Sequence, residues 1–435
     1  MARRDALLEG AGPFGAAEID GFWVMLSFRL LAKTGFVLFL VLPLTIGCSG
    51  ASASDNQGGG NRARSRSWRT ALEDRGITFS VESDSDVFVN ARGGINQRAD
   101  AFNWLKLGLN LNVYSLTGLA PFQDTNIYAE AQYPAGTDIS SYVGDLAGVN
   151  NSAAYNSFRL YELWVQKEFK AGPFVGSLKA GLLSADQEFD LINAASFFIN
   201  SSFAADLAFG GSVPIPIYPF NALAARLHLS AGDEHSLKAT FRLGVFDGNS
   251  ATPKLGPFAL DAPTEPSYNK YGVGFHLNPS TGLIFIDEFE LDFAGSAPEA
   301  NPGHSKGRWF FGPSRVLLGG YYTTDLFTDI YEAQLQRLGV THAPNRVRAI
   351  SGNYGVYLIW EQKCYEEEPG SENGFYFFAR GSVLPADRNF TSVSAEVGAV
   401  YKGILRRQTD ARDSVGLGFA YSGISRNVRH ANDVA

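Results

Sequence analysis

Residues 105–113, LKLGLNLNV, decide the fold class because their side chains alternate strictly along the chain. The odd positions place four leucines and a valine on one face of an extended chain, and the even positions place a lysine, a glycine and two asparagines on the other. A period of two residues is typical of a β-strand with one apolar and one polar face, whereas an amphipathic helix has a period of 3.6. The stretch therefore predicts a strand.

The same alternation recurs from Trp68 onward, in segments separated by clusters of Gly, Pro, Asn and Asp, which are typical turn residues. We predict fourteen strands, at residues 77–90, 105–113, 127–133, 159–169, 175–182, 223–231, 235–245, 271–277, 283–293, 315–323, 354–363, 375–383, 393–404 and 415–421.

The connections between these segments differ greatly in length. Tight turns such as residues 231–234 contrast with long stretches at residues 134–156, 184–221, 247–269, 294–313 and 324–352. A meander of strands across a membrane has short turns on the periplasmic side and long loops outside, although a soluble sandwich also alternates. Only closed barrels satisfy the backbone groups of strands in lipid. Together with the export signal described below, this pattern favours an all-β fold, a transmembrane antiparallel β-barrel.

Aromatic residues support the membrane interpretation. Tyr161 and Phe169 bracket Leu163 and Val165 on what we predict to be the apolar face of one strand, and Tyr421 closes the apolar row of the last strand. Aromatic rings at both ends of an apolar band suit the two lipid–water interfaces.

The composition excludes several classes of protein. The 435 residues include 36 Lys plus Arg against 44 Asp plus Glu, a net charge of −8, which argues against a nucleic-acid-binding protein. The 47 glycines and 33 phenylalanines disfavour a helical protein, because Gly weakens helices and aromatic residues favour strands. With 45% apolar residues, disorder is also disfavoured.

The N-terminal region predicts export. The apolar run at residues 35–46, GFVLFLVLPLTI, follows Arg29 and Lys33 and precedes Ala51-Ser52-Ala53, which together have the order of a secretory signal peptide. Two alternatives stay open. One is an uncleaved anchor helix, for which the run is shorter than the roughly 20 residues that a span needs. The other is lipid attachment at Cys48.

These features predict three regions. Residues 1–53 are an N-terminal extension and signal peptide cleaved after Ala53, with either Met1 or Met25 as the true start. Residues 54–67, rich in Gly, Ser and Arg, are a flexible leader. Residues 68–435 are the barrel.

Five strings that occur in this order resemble one known family: WRTALEDRGI at residues 68–77, RLYELWVQKEF at 159–169, GLLSADQEF at 181–189, FINSSF at 198–203 and VFDGN at 245–249. Together they resemble the carbohydrate-selective outer-membrane porins of the OprB type. The resemblance implies a sixteen-stranded barrel in the outer membrane of a Gram-negative bacterium, passive diffusion of sugars, no cofactor, and a short periplasmic helix at residues 68–75.

The sequence departs from this family at its C-terminus. Members finish with a further hairpin and a strand that ends in an aromatic residue, whereas here the chain stops at Val434-Ala435, soon after the fourteenth predicted strand. We therefore expect a barrel that lacks the final hairpin and inserts poorly by itself, because open sheet edges leave backbone groups unsatisfied in lipid.

Strand alternation also predicts which side chains line the pore. On residues 159–169 it places Glu162, Trp164, Gln166 and Glu168 on the lumen face, opposite Tyr161, Leu163 and Val165. Carboxylates accept hydrogen bonds from sugar hydroxyls, and an aromatic face suits the C–H side of a sugar ring. We expect Trp164 to be a stacking platform, unless it fills space under a loop or faces lipid.

Other polar faces supply charge to the predicted lumen. Pore-lining candidates are Arg226, Arg242, Arg380 and Glu130, with Lys106, Lys179 and Glu396 as further wall charges and acidic rows at Glu82, Asp84 and Asp86 and at Glu288, Glu290 and Asp292. The alternative is that they are ordinary charges of a wet wall that balance one another. Asp186, Glu188, Asn200 and Ser201 lie in the connection 184–221, which is either folded into the pore or an external lid.

Catalytic and metal signatures are weak. The six histidines lack ligand spacing such as H-E-x-x-H, and no G-x-S-x-G or phosphate loop occurs. Neighbouring acids such as Glu288 and Glu290 lie side by side, whereas glycoside hydrolysis needs two acids on opposite sides of a bond. We predict no catalytic residues, no metal site and no cofactor.

The predicted function is a porin, not an enzyme, for passive diffusion of carbohydrates and small hydrophilic solutes across the outer membrane. Its partners are carbohydrates and outer-membrane lipid, with no nucleic acid, and both a homotrimer and a monomer stay open. The alternatives are an exported soluble β-rich carbohydrate-binding protein or glycoside hydrolase, and a truncated barrel that does not transport.

Overall fold

The alternating segments form one antiparallel sheet in the computed structural model of the chain. The structure describes residues 23–24, 68–233, 235–248, 269–275, 277, 282–295, 308–309, 312–368, 371–404 and 413–434. The predicted signal peptide and leader thus lie outside the described residues, apart from Trp23–Val24, which pairs in parallel with Asp86 and Val87.

Thirteen strands follow one another in chain order, and each pairs antiparallel with the next. They are β1 Ile77–Asn90, β2 Arg98–Asn112, β3 Thr125–Gly136, β4 Arg159–Ala171, β5 Phe174–Leu183, β6 Ala222–Gly232, β7 Leu237–Asp247, β8 Leu283–Phe293, β9 Ser314–Thr328, β10 Ala349–Glu366, β11 Gly374–Val383, β12 Thr391–Lys402 and β13 Ser414–Ile424. A two-residue strand, Arg308–Trp309, also pairs with β10. Within the described part of the chain, no ladder joins β13 to β1.

The strand predicted at residues 271–277 is wrong. Its described residues form turns and irregular chain, and Gly272 has a left-handed φ of 68° that interrupts an extended backbone. Leu160 N donates to Tyr271 O at 2.9 Å, and Asn221 Nδ2 donates to Gly272 O at 3.0 Å. The alternating side chains of this stretch therefore belong to a loop packed beside the start of β4.

The two faces of the sheet differ in exposure as the alternation predicts. Leu318 and Leu358 are 53% and 51% exposed, whereas their chain neighbours Leu317 and Ile359 are fully buried. Exposed apolar residues on the same outer face are Leu109, Val165, Leu178, Phe241, Phe289, Tyr354, Val397, Leu417 and Tyr421. The predicted sidedness is confirmed: the leucine and valine rows face outward, as the lipid-facing band of a membrane barrel does.

In the described part of the chain, six short helices precede the first strand, lie in the connections between strands or follow the last strand. They are α1 Trp68–Glu73, α2 Val113–Thr117, α3 Ser140–Val143, α4 Leu207–Ser212, α5 Ile330–Arg337 and α6 Arg426–Val434. The helix expected at residues 68–75 is therefore present as α1. No helix in the described ranges is long and apolar enough to cross a membrane.

Helices α5 and α6 pack together at the end of the sheet where most long connections lie. Ile330, Ala333 and Val428 form a small buried cluster there, and Gln334 Nε2 donates to Asn432 Oδ1 at 2.7 Å. Asp329 caps α5 by accepting from the backbone N–H of Tyr331 at 3.0 Å. The C-terminal helix thus closes over the connections rather than continuing the sheet.

Candidate functional site: the inner face and the inserted segment

The connection between β5 and β6, residues 184–221, lies on the inner face of the sheet and is called the inserted segment below. It consists of three 3₁₀ turns, Ala185–Gln187, Asn193–Ala195 and Ser201–Phe203, followed by α4. Asn200 Oδ1 accepts from Ser202 N at 3.0 Å, and Asp206 Oδ1 accepts from Ala208 N at 2.8 Å. These caps explain why short helical turns form in a stretch with little periodicity.

Apolar packing holds the inserted segment inside the curve of the sheet. Buried side chains of the segment, among them Phe189, Ile192, Phe198 and Phe203, form one cluster with residues of eight strands, β5 to β12. The strand residues of this cluster include Phe246, Ile284, Ile286, Leu317, Tyr357, Ile359, Phe378 and Val400. On β13 a Cβ added to Gly418 would lie 2.6 Å from the Phe203 ring, so a glycine there makes room for the aromatic side chain. Of the two alternatives for this connection, the structure has the one folded inward.

Arg380 of β11 holds two points of the inserted segment at once. Its Nη1 donates to Asp190 Oδ2 at 2.9 Å, its Nη2 donates to the carbonyl oxygen of Ser202, and its Nε donates to Glu396 Oε2 at 3.0 Å. The Arg380 side chain is fully buried. This predicted pore-lining residue therefore contacts the segment and not an open passage.

A second group of charges binds the segment through its backbone. Arg315 Nη1 donates to Leu191 O at 2.7 Å and to Glu361 Oε2 at 2.6 Å, and Glu361 Oε1 accepts from Ala194 N at 2.6 Å. Glu288 Oε1 accepts from Asp190 N at 2.7 Å. Strand charges thus bond backbone groups of Asp190, Leu191 and Ala194, which lie in and beside the segment's second 3₁₀ turn, as buried polar groups require.

Arg242 extends this group of charges to β7, the strand next to β8. Its Nη1 lies 3.1 Å from Glu288 Oε2 and 3.0 Å from Glu290 Oε2, and Glu290 also accepts from Arg315. Glu288 and Glu290 of the acidic row predicted on β8 are therefore paired with arginines. Pairs of this kind are what the alternative of balanced wall charges predicts.

The inner faces of β2 to β4 carry a continuous row of aromatic and polar side chains. Trp164 Nε1 donates to Glu162 Oε2 at 3.0 Å, and its ring lies 5.1 Å from the ring of Tyr128. Tyr128 donates to Glu130 Oε2 at 2.6 Å, and Glu130 Oε1 accepts from Gln132 Nε2 at 2.6 Å. The row places an indole ring beside two carboxylates. The sequence placed Trp164 beside Glu162 and Gln166 and indicated Glu130 only as a separate pore-lining candidate.

One residue of this wall faces the opposite way from the prediction. Tyr161, placed with Leu163 and Val165 on the apolar outer face, is only 2% exposed and lies on the inner side with Glu162. The ladder between β3 and β4 skips it: Glu130 pairs with Glu162, and Ala131 pairs with Leu160. This β-bulge turns two successive side chains inward. The aromatic pair Tyr161 and Phe169 therefore does not bracket the outer apolar band.

Glu188 of the inserted segment is held by two cations of the wall. Lys179 of β5 contacts Glu188 Oε1, and Arg226 Nε of β6 donates to Glu188 Oε2 at 2.8 Å. Arg226 Nη2 also donates to Gln166 Oε1 at 3.2 Å. The Lys179 ammonium lies 4.2 Å from the centroid of the Trp164 ring. The structure thus joins five predicted residues, from Trp164 to Arg226, into one cluster.

Two cavities border the start of the inserted segment. The larger, of about 440 Å³, lies toward the short turns and is lined by Gln166, Glu168, Arg242 and Glu290 together with Gln187 and Glu188. The smaller, of about 40 Å³, lies toward the long connections and is lined by Trp104, Ser152, Tyr218 and Phe203 together with Asp186 and Gln187. Gln187 lines both.

Asp186 and Asn200 have local structural contacts. Asp186 Oδ1 accepts from Tyr161 Oη at 3.2 Å and from Ser184 Oγ at 2.6 Å, and its Oδ2 accepts from Tyr218 N at 3.1 Å. Asn200 is buried, and its side chain caps the third 3₁₀ turn. Among the residues described, no group of three or more His, Cys, Asp or Glu side chains could hold a metal ion.

Sequence reasoning missed Tyr161, Gln187, Arg315 and Glu361. Arg315 and Glu361 had a usable signal, since both lie in predicted strands on the polar face. Tyr161 had no such signal, because the alternation of apolar and polar residues in the sequence does not show where a β-bulge occurs. Gln187 lies between Asp186 and Glu188. These two acids were selected as candidates from the sequence because they are charged, and the neutral Gln187 was omitted.

Comparison with known proteins agrees with this geometry. The family model described as "Carbohydrate-selective porin, OprB family" matches residues 97–434. The high-pH structure of Pseudomonas putida OprB is 19% identical, with a TM-score of 0.64, covering 85% of this chain and 80% of that chain. The low-pH structure of the same Pseudomonas putida protein is 14% identical, with a TM-score of 0.43, covering 82% of this chain and 80% of that chain. No curated protein matches the sequence.

Proposed function

The chain belongs to the carbohydrate-selective porin family, and from this we propose that it is an outer-membrane channel through which sugars and small hydrophilic solutes diffuse down their gradients. It is a channel rather than an enzyme, and it works in the outer membrane of a Gram-negative bacterium. The proposal applies equally to a monomer and to each barrel of a homotrimer.

The observation that carries the proposal is the difference between the two faces of β4. Its outward Val165 is 45% exposed, as a lipid-facing residue is, whereas its inward Glu162, Trp164 and Gln166 lie on the side of the inserted segment, where Gln166 lines the larger cavity. A strand with one face suited to hydrocarbon and the other lined by hydrogen-bonding groups is typical of a membrane channel wall. A soluble sugar-binding protein needs no exposed apolar band.

The sugar path follows the inner wall from β2 to β8, since residues of β4 to β8 line the larger cavity. The inserted segment packs against β9 to β13, where its apolar side chains fill the bore. Arg315, Glu361 and Arg380 on that side are bonded to the segment itself, so they are not open to a solute. On the other side, Tyr128 and Trp164 offer ring faces, and Glu130 and Glu162 offer acceptors. The cavity of about 440 Å³ is within the range of about 300–1,000 Å³ that small-molecule sites have.

The short turns then face the periplasm and the long connections face outward, as in other outer-membrane barrels. Export precedes insertion, with cleavage after Ala53. N-terminal sequencing of the protein recovered from outer membranes tests this step: a first residue of Ser54 is expected, and retention of residues 35–46 would support the uncleaved anchor instead.

Liposome swelling tests the proposed function. Vesicles that contain the folded full-length protein should swell in isotonic monosaccharide and disaccharide, and those with heat-denatured protein should not. Recovery of the native protein in a detergent-free periplasmic fraction would favour the soluble carbohydrate-binding or hydrolytic alternative. Correctly inserted protein without swelling would favour a barrel that does not transport.

A further inference from the structure

Gln187 occupies the junction of the two cavities, and this position has a consequence for selectivity. Its side chain borders the larger cavity together with Gln166, and the smaller cavity together with Trp104. A solute that moves from one of these cavities to the other along this wall would pass Gln187. Neither Trp104 nor Gln166 lines both cavities.

The two acidic residues next to Gln187 in the sequence form hydrogen bonds and ion pairs with other groups of the protein. Asp186 accepts hydrogen bonds from Tyr161, Ser184 and the backbone of Tyr218, whereas Glu188 pairs with Lys179 and Arg226. Asp186 and Glu188 are thus both bonded within the protein, and the neutral side-chain amide of Gln187 lies between them in the sequence. Charge at the junction is largely satisfied within the protein.

The backbone and side chain of Gln187 are both held in place. The turn Ala185–Gln187 is closed by Glu188 N, which donates to Ala185 O at 3.1 Å, and by Phe189 N, which donates to the same oxygen at 2.8 Å. Gln187 Nε2 donates to Tyr161 Oη at 3.3 Å. Tyr161 reaches this position only because of the bulge in β4. The bulge therefore positions the amide at the junction.

We propose that Gln187 is the selectivity-determining residue of the passage and that it favours uncharged sugars over charged ones. The inference rests on the proposed channel function. A primary amide has both donor and acceptor groups, as a sugar hydroxyl does, so it can bond to hydroxyls in either orientation. It has no net charge with which to attract or repel an ion, and charge at a constriction dominates ion selectivity.

Tyr161 is then a positioning residue. Its hydroxyl accepts from Gln187 and donates to Asp186, so it orients the amide without facing both cavities itself. Tyr161→Phe removes this contact and preserves the ring. We expect the variant to fold normally and to lose part of the discrimination between neutral and charged sugars, with little change in conductance.

The decisive experiment uses the full-length protein. It introduces a charged side chain either at position 187, which borders both cavities, or at position 230, which borders only the larger one, and compares the two. Gln187→Glu and Gln187→Lys are compared with Ser230→Glu and Ser230→Lys, because Ser230 lines only the larger cavity. In planar bilayers under a KCl gradient, the K⁺ to Cl⁻ permeability ratio should rise for Gln187→Glu and fall for Gln187→Lys. The Ser230 pair should shift the ratio much less.

Sugar permeation provides the second measurement. Liposome swelling with glucose, glucosamine and glucuronate should show that Gln187→Glu slows glucuronate and Gln187→Lys slows glucosamine, and that Gln187→Ala narrows the differences among the three. Equal shifts at positions 187 and 230, or unchanged discrimination in Gln187→Ala with normal heat-modifiable gel migration, would overturn the assignment. If the unmodified protein forms no channel, the proposed function itself fails, which is a separate result.

Discussion

Arg380 Nη1 lies 2.9 Å from Asp190 Oδ2, so an arginine of β11 is bound to a residue 190 positions earlier in the chain. The same guanidinium reaches Ser202 O and Glu396. A planar group with five donors can serve several acceptors at fixed angles, which a lysine ammonium cannot. This contact links two turns of the inserted segment to the wall and sets how far the segment extends into the bore.

Replacing Arg380 should loosen the inserted segment. Arg380→Lys retains the charge but cannot reach Asp190, Ser202 and Glu396 together, so we expect larger and noisier single-channel currents and entry of longer oligosaccharides. Arg380→Met leaves buried carboxylates without a counter-ion, which typically costs about 3–5 kcal/mol, and should reduce the yield of folded protein. Arg348→Lys, at an exposed arginine that pairs with the buried Asp329, is the control and should conduct like the unmodified channel. Normal currents in Arg380→Lys would contradict the anchoring role.

A methyl group at Gly319 should disturb the inner wall. A Cβ there would lie 2.2 Å from the Tyr357 ring, and Tyr357 donates to Glu288 Oε1 at 2.7 Å. Gly319→Ala should therefore displace the ring and destabilise the barrel by about 1–3 kcal/mol, as overpacked cores do. At Gly381 the nearest atom would be 3.7 Å away, so Gly381→Ala is the matched control. The check is guanidinium unfolding in detergent, and equal stability of the two variants would refute the steric argument.

A charge on the outer face should impair insertion. Leu358 lies near the middle of β10 and is 51% exposed. Arg at the midplane of a barrel's lipid face costs about 2–4 kcal/mol, so Leu358→Arg should fold into lipid vesicles with lower stability than Leu358→Ala. Protease protection and heat-modifiable migration measure this. If the arginine variant inserted as well as the alanine variant, Leu358 would not face lipid.

Loss of the indole at position 164 should weaken sugar interaction. Aromatic contacts are worth about 0.5–1.5 kcal/mol, so Trp164→Ala should weaken sugar binding about two- to tenfold. Trp360 lies on the outer face of β10 at 41% exposure, so Trp360→Ala removes an indole without changing the bore. The measurement is inhibition of ion current by added sugar in planar bilayers. A similar loss in both variants would mean that Trp164 acts through stability alone.

The strands were predictable because each has one apolar face and one polar face. Ile77–Asn90 and Leu283–Phe293 have the predicted boundaries, and the eleven other strands overlap predicted segments. The failure at residues 271–277 has a local cause: side-chain alternation also occurs there, but Gly272 adopts a left-handed conformation and the backbone binds Leu160 and Asn221. Alternation therefore indicates a strand only where the backbone can stay extended.

The candidate site was predictable in part. The polar wall around Glu162 and Trp164 follows from counting along β4, and the structure places both residues inside. The same count placed Tyr161 outside, because a single unpaired residue in the ladder reverses the alternation beyond it. The partners of Arg380 and Arg315 lie more than a hundred positions away, at Asp190 and Leu191. Such pairs depend on how the sheet curves.

By itself the sequence determined the sidedness of the strands and the polar character of one face, since both depend only on residue type and spacing. The tertiary structure alone decided that residues 184–221 fold inward, which strand charges bind them, and that Gln187 rather than its acidic neighbours separates two cavities. The physical reason is that these contacts join segments distant in the chain, and their formation depends on the curvature of the whole sheet rather than on any local pattern.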